Sequence, residues 1–176
     1  MDLDNVILTG GYFTPSLVTE HHGISSGQVT SRQLAGLVGD RYGHACGSYT
    51  VADQMVGLSS SDLVAPITQV LLVTGGHDKQ LQYVSSTEVI SYPDGQAWRE
   101  VGPLPSPRYG LRGASLAGVF HVTGGYNYIG MDNYLDQVLA WDPVAETWSE
   151  AGRLDEAIYL HAITELPLAA LQSFCS

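Results

Sequence analysis

Residues 70–76 read VLLVTGG and residues 119–125 read VFHVTGG, and a third copy, NVILTGG, stands at 5–11. Each is a short β-branched run of strand length, closed by a threonine and two glycines. The runs are apolar on both faces, as strands covered on both sides should be. One glycine pair could mark any loop. Three pairs behind the same strand mark a repeat, which is settled before any other feature is read.

The pairs Gly75-Gly76 and Gly124-Gly125 lie 49 residues apart. Twelve residues beyond them come EVISY (88–92) and QVLAW (137–141), ending on Tyr92 and Trp141. These aromatics precede Trp98 and Trp148 by six and seven residues, across turns rich in Pro, Asp and Gly. WREV and WSEA then read as short strands. RYGLRGASLAG (108–118) reads as a Gly/Ala-rich strand entering a tight Ala-Gly turn. One unit therefore holds four antiparallel strands, a to d, with the doublet closing b. Radial stacking of such sheets protects their edges. The doublet suits a place where φ is positive or another backbone comes close.

A glycine doublet after an apolar strand, followed by a spaced aromatic and a tryptophan at about fifty residues, resembles the kelch repeat family. The likeness runs over roughly 5–165 and is strongest over 68–164. Trp141-Asp142 is a WD dipeptide, but WD blades run about 40–45 residues, so the spacing favours kelch. The resemblance implies an all-β fold: a partial kelch-type β-propeller of about three four-stranded antiparallel blades. The expected parts are a degenerate first blade with strands b–d (1–40), a blade (41–105), a second full blade (106–155), the lone first strand of a closing blade (156–167) and a C-terminal tail (168–176). Propellers have about four to eight blades, so the chain reads as part of a larger one, its tail resembling a native end. The repeat core is expected at Gly10, Gly11, Gly75, Gly76, Gly124, Gly125, Tyr92, Trp98, Trp141 and Trp148.

Two stretches depart from the pattern. Arg108 to Gly124 spans 16 residues but Arg41 to Gly75 spans 34, placing a Ser-rich insertion at about 52–69. The segment 12–40 has no Tyr or Trp after Tyr12, so a weakly ordered blade is expected there.

The charge of −11 and pI near 4.6 argue against sequence-independent nucleic-acid binding. No apolar run reaches about 18 residues and MDLDNV lacks signal-peptide features, so no membrane association and a cytoplasmic location are expected. Cys46 and Cys175 are too few for a disulfide framework. Among the histidines, His121 replaces Leu72 of the matching strand and is expected in the core; His44 and His161 stand where the third copy has Leu111. No HExxH, GxSxG or metal-ligand spacing appears, so neither enzyme activity nor a cofactor or metal is expected. The alternative is a remnant of a galactose-oxidase-like kelch propeller enzyme, although nothing matches that copper site.

The resemblance implies a non-catalytic module of protein–protein interaction. Many kelch proteins select substrates for ubiquitin ligases, and others join cytoskeletal scaffolds. Kelch domains often capture peptides with the arginine opening strand a and with residues after the doublet. Carried over, these are Arg41, Arg108, Tyr12, His77, Tyr126 and Tyr128. Arginine and tyrosine are also enriched at binding hot spots. The expected partner is a protein or peptide, with an acidic segment favoured because guanidinium groups hold carboxylates bidentately. Self-association through open propeller edges is a further expectation, since exposed apolar sheet faces mark interfaces.

Overall fold

The computed structural model describes residues 5–9, 19–25, 28–52, 67–92, 95–128 and 133–164. Gly10, Gly11, Tyr12, the tail 168–176 and most of the insertion lie outside the described residues. Three antiparallel sheets follow one another along the chain, with no helix among the described residues. The first holds β1 (Asn5–Thr9), β2 (Thr19–Ser25) and β3 (Gln28–Gln33). The second holds β4 (Ala45–Ala52), β5 (Ile67–Thr74), β6 (Thr87–Tyr92) and β7 (Arg99–Val101). The third holds β8 (Arg112–Leu116), β9 (Val119–Thr123), β10 (Gln137–Asp142) and β11 (Thr147–Arg153). Strand order within each sheet follows the chain, so the architecture is a partial β-propeller with sheets as blades. β2 and β3 pair over six residues despite lacking aromatics. The described part of 156–167 forms no strand, for a first strand pairs only with the second strand of its own blade.

The core lies between the sheets. Leu37, Leu71, Val73, Ile90 and Trp98 pack together on the side of the second sheet facing the first. Tyr49, Leu72, Val89, Phe120, Trp141 and Trp148 belong to the layer between second and third. β5 feeds both layers with alternate residues, which explains a run apolar on both faces. Each last-strand tryptophan reaches back to the preceding blade: Trp98 Nε1 donates to the Ala35 carbonyl at 2.9 Å, and Trp148 Nε1 donates to Thr87 Oγ1 at 3.0 Å. Trp98, Trp141 and Trp148 are buried, and Tyr92 is half-buried against His21. His121 is not in the core. Among the described residues no further blade covers its sheet face, so it stays half-exposed, with Nδ1 near the Val119 carbonyl, beside Leu116 and Val119 at 63% and 39% exposure.

The β8–β9 hairpin closes on Ala117 and Gly118, both at positive φ (52° and 80°), as a two-residue turn between right-twisted strands requires. In the second blade the same hairpin is longer. β4 and β5 pair over eight positions where β8 and β9 pair over five, so the edges of the expected insertion are strand.

Candidate functional site

The doublets position one rim of the stack. Gly75, Gly76, Gly124 and Gly125 all have positive φ, between 60° and 108°. A Cβ at Gly76 would stand 2.6 Å from the Tyr42 carbonyl, and one at Gly124 would collide with the carbonyl of Ile158. These positions therefore need glycine for both conformation and space. The bare backbone lets sheets join: Gly76 N–H donates to the Arg108 carbonyl and Gly125 N–H to the Ile158 carbonyl, each at 2.8 Å. The loops entering each blade also link to one another. Gly110 N–H donates to the Gly43 carbonyl at 2.9 Å, and Leu160 N–H to the Gly110 carbonyl at 2.7 Å.

Arg41 and Arg108 are not on the open surface of this rim, which corrects their expected role as partner-holding groups. They are 1% and 0% exposed. The Arg41 guanidinium donates to the Gly75 carbonyl at 3.3 Å and the Ser86 carbonyl at 2.9 Å, and pairs with the Glu88 carboxylate. Glu88 also accepts the N–H of Val38 at 2.6 Å and of Gly39 at 3.0 Å. Arg108 occupies the same place one blade on, donating to the Gly124 carbonyl at 3.4 Å and to Ser106 Oγ at 3.0 Å. Gln137, the counterpart of Glu88, accepts from Arg108 Nη2 through its Oε1 at 2.9 Å. Burial without a carboxylate partner pulls the Arg108 group down to about 10. The physical reason for this inward turn is the doublet. Its positive-φ backbone leaves a carbonyl that strand pairing does not satisfy, and a buried carbonyl needs a donor.

The rim surface is instead aromatic. His77 stacks on Tyr109 with ring centres 4.3 Å apart and planes 13° off parallel, and meets Tyr83 edge-on at 4.3 Å. Tyr42 lies edge-on to both His77 and Tyr109 at 5.5 and 5.8 Å, and its hydroxyl is 3.2 Å from His77 Nδ1. The series continues from Tyr83 to Tyr126 at 6.1 Å, and Tyr126, Tyr134 and Tyr159 form a triangle of 5.1 to 6.0 Å. Offset and edge-on pairs of this kind are mutually attractive. Tyr134 and Tyr159 are 51% and 42% exposed, and Tyr128 is 75% exposed. Burial, then the neighbouring Tyr126, Tyr128 and Tyr109, raise the Tyr83 phenol above its ordinary value.

Of the expected site residues, His77 and Tyr126 join this row and Tyr128 projects beside it, while Tyr12 lies outside the described residues. Tyr42, Tyr83, Tyr109, Tyr134 and Tyr159 were not expected. A signal for three of them exists in the chain: RYG (41–43), RYG (108–110) and IYL (158–160) carry a tyrosine at the same step of each unit. Among the described residues no group of three or more His, Cys, Asp or Glu could hold a metal ion, and no helix is long and apolar enough to cross a membrane.

Known proteins share this pattern. Kelch-like protein 23 of Homo sapiens is 32% identical over 69 residues, which is 39% of this chain and 12% of that protein. The proteins of the same name from Pongo abelii and Mus musculus match over the same length at the same identity. The chain thus spans about an eighth of the length of these relatives. The solved structure of YjhT matches at a TM-score of 0.57 and 15% identity, covering 79% of this chain and 46% of that one, a likeness that speaks for the fold alone. No family model matches the sequence.

Proposed function

We propose that the chain, which resembles kelch repeats and is folded as part of a β-propeller, is a non-catalytic binding module whose contact surface is the tyrosine-rich rim. One observation carries the reading: seven aromatic rings from successive loops form one row of ring contacts on the rim where strands b and c and successive blades connect. Tyrosine gives large, stiff contact area with a hydrogen-bonding tip, which suits it to interface centres. The rigid sheets below hold the rings in place, and loops presented by a rigid scaffold are where binding residues concentrate. Substrate selection for a ubiquitin ligase and docking on a cytoskeletal scaffold are the two settings the kelch resemblance brings with it.

A catalytic role of the galactose-oxidase kind draws less support. That copper site combines tyrosines with more than one histidine, and His77 is the one histidine in the ring row among the described residues.

The test uses affinity capture from cell extract, with the recovered partners quantified. Tyr128→Ala, Tyr134→Ala and Tyr159→Ala change exposed rings that the sheets do not need. Together they should abolish recovery of the specific partners. Val144→Asp, in the turn between β10 and β11 and 92% exposed, should leave recovery intact. Full recovery by the tyrosine variant, with loss on changes in 53–66, would move the binding face to the opposite rim.

A further inference from the structure

We infer that the ligand of this rim is a basic segment, an arginine or lysine side chain laid against the tyrosine faces. The inference rests on the binding reading above and fixes the chemistry of the partner. Arg41 and Arg108 are buried with their guanidinium groups turned inward, so neither is presented to a carboxylate on this rim. What remains there is of the opposite sign. Asp155 lines a concave space of about 640 Å³ together with Tyr134, and Glu156 is exposed on the same loop; Asp136 borders the space too but is paired with Arg153. Arg153 also borders this space, but Asp136 and Glu150 already hold it, at 3.0 Å each. Across the rim, Asp40 and Asp78 flank Lys79, with Asp40 accepting the Lys79 backbone N–H at 2.9 Å.

Cations are attracted to aromatic faces by the ring quadrupole, whose negative face repels a carboxylate. Tyr134 lines the space and the Tyr159 ring lies 5.2 Å from it, centre to centre, both exposed to a ligand. A guanidinium laid on Tyr134 would share its space with Asp155. The charge of −11 adds attraction at long range. An acidic ligand would meet both terms with the wrong sign.

The probe is a labelled Gly-Arg repeat hexapeptide, with a citrulline version as the neutral isostere and a Gly-Glu version as the reversed charge. Fluorescence anisotropy on the full chain reads binding at low and physiological salt. The arginine peptide should bind at least tenfold more tightly than the citrulline peptide, and the glutamate peptide should not bind. Tyr134→Leu with Tyr159→Leu should weaken the arginine peptide at least fivefold. Asp155→Asn should weaken it severalfold, while Glu100→Gln, an equal charge change on β7, should not; that contrast separates the site from general attraction to an acidic protein. Equal binding of arginine and citrulline peptides, or an equal effect of Asp155→Asn and Glu100→Gln, overturns the inference. If either happens while the tyrosine variants still lose their captured partners, the binding face stands and only the sign of its ligand falls.

Discussion

The Arg41 guanidinium and the Glu88 carboxylate form an ion pair across 47 positions of chain, with neither side chain more than 1% exposed. Glu88 uses its remaining capacity on the N–H groups of Val38 and Gly39, so one carboxylate fixes both the arginine and the loop that carries it. Removing one member of a buried pair strands the other charge, at about 3–5 kcal/mol. Glu88→Ala should therefore lower stability by about that much in denaturant unfolding. Glu88→Gln should cost less, about 1–2 kcal/mol, set by a neutral hydrogen bond lost to a charged partner. The next blade already shows that an amide can fill this place, for Gln137 serves Arg108. An unchanged midpoint in Glu88→Ala would show that the pair does not hold the loop.

Trp148 joins two blades by area and by one hydrogen bond to Thr87. Trp148→Ala should cost about 3–5 kcal/mol, the range for deleting a large buried aromatic. Trp148→Phe keeps much of the apolar contact and should cost less, the difference from wild type including the lost N–H. Thermal or urea midpoints for the two variants check the order.

The loop entering each blade carries a residue at positive φ: Gly43 at 63°, Gly110 at 68° and Leu160 at 52°. Leucine in that region is strained by roughly 1–2 kcal/mol, partly offset in any glycine replacement by the freer unfolded chain. Leu160→Gly should thus be neutral to stabilising by up to about 1 kcal/mol. Gly43→Leu should be strongly destabilising, because a Cβ there runs into the Tyr109 ring. A melting temperature that rises for Leu160→Gly and falls for Gly43→Leu confirms the shared conformation; the same sign for both refutes it.

Acid should loosen the joint between the first two sheets. His44 Nε2 lies 2.7 Å from Thr9 Oγ1, and burial, with Arg41 and Arg112 nearby, lowers its pKa from 6.5 to about 4. The unfolded chain takes up this proton near pH 6.5 and the folded chain only near 4. Stability is therefore full above 6.5 and declines as pH falls toward 4, by about 2–3 kcal/mol for this group. His161, 2.7 Å from Thr123 Oγ1, is lowered for the same first reason and adds in the same direction. His44→Leu, which places the residue found at 111 there, should flatten the profile measured by unfolding between pH 7 and 4.

The repeat was legible because its marks are local. Strand, threonine, doublet, aromatic and tryptophan follow at fixed steps, and each has a conformational reason that needs no partner. The direction of the arginines was not legible. Arg41 turns inward to meet Glu88 and the Gly75 carbonyl, far off along the chain, and an arginine before a strand reads the same whether it faces solvent or a buried acceptor. His121 was misplaced for a related reason: its leucine counterpart is covered by the next sheet, and a strand does not record which of its faces receives one. The ring row escaped because its members stand 6 to 35 residues apart in loops; the tyrosine recurring in RYG, RYG and IYL marks three of them, but only the fold brings their rings to one side.

Arg108 takes the N–H of Gly76 on its carbonyl while its guanidinium serves the carbonyl of Gly124. One residue thus belongs to two neighbouring sheets, and loss of order in either withdraws a partner from the other. Such a line behaves as a one-dimensional cooperative array, with coupling concentrated at the junctions. Disorder in one unit should spread to its neighbour before it spreads within a loop. Hydrogen exchange makes this visible: the amides of Gly76 and Gly125 lie in connecting loops, yet they should exchange as slowly as the strands, because each opens only when the stack comes apart.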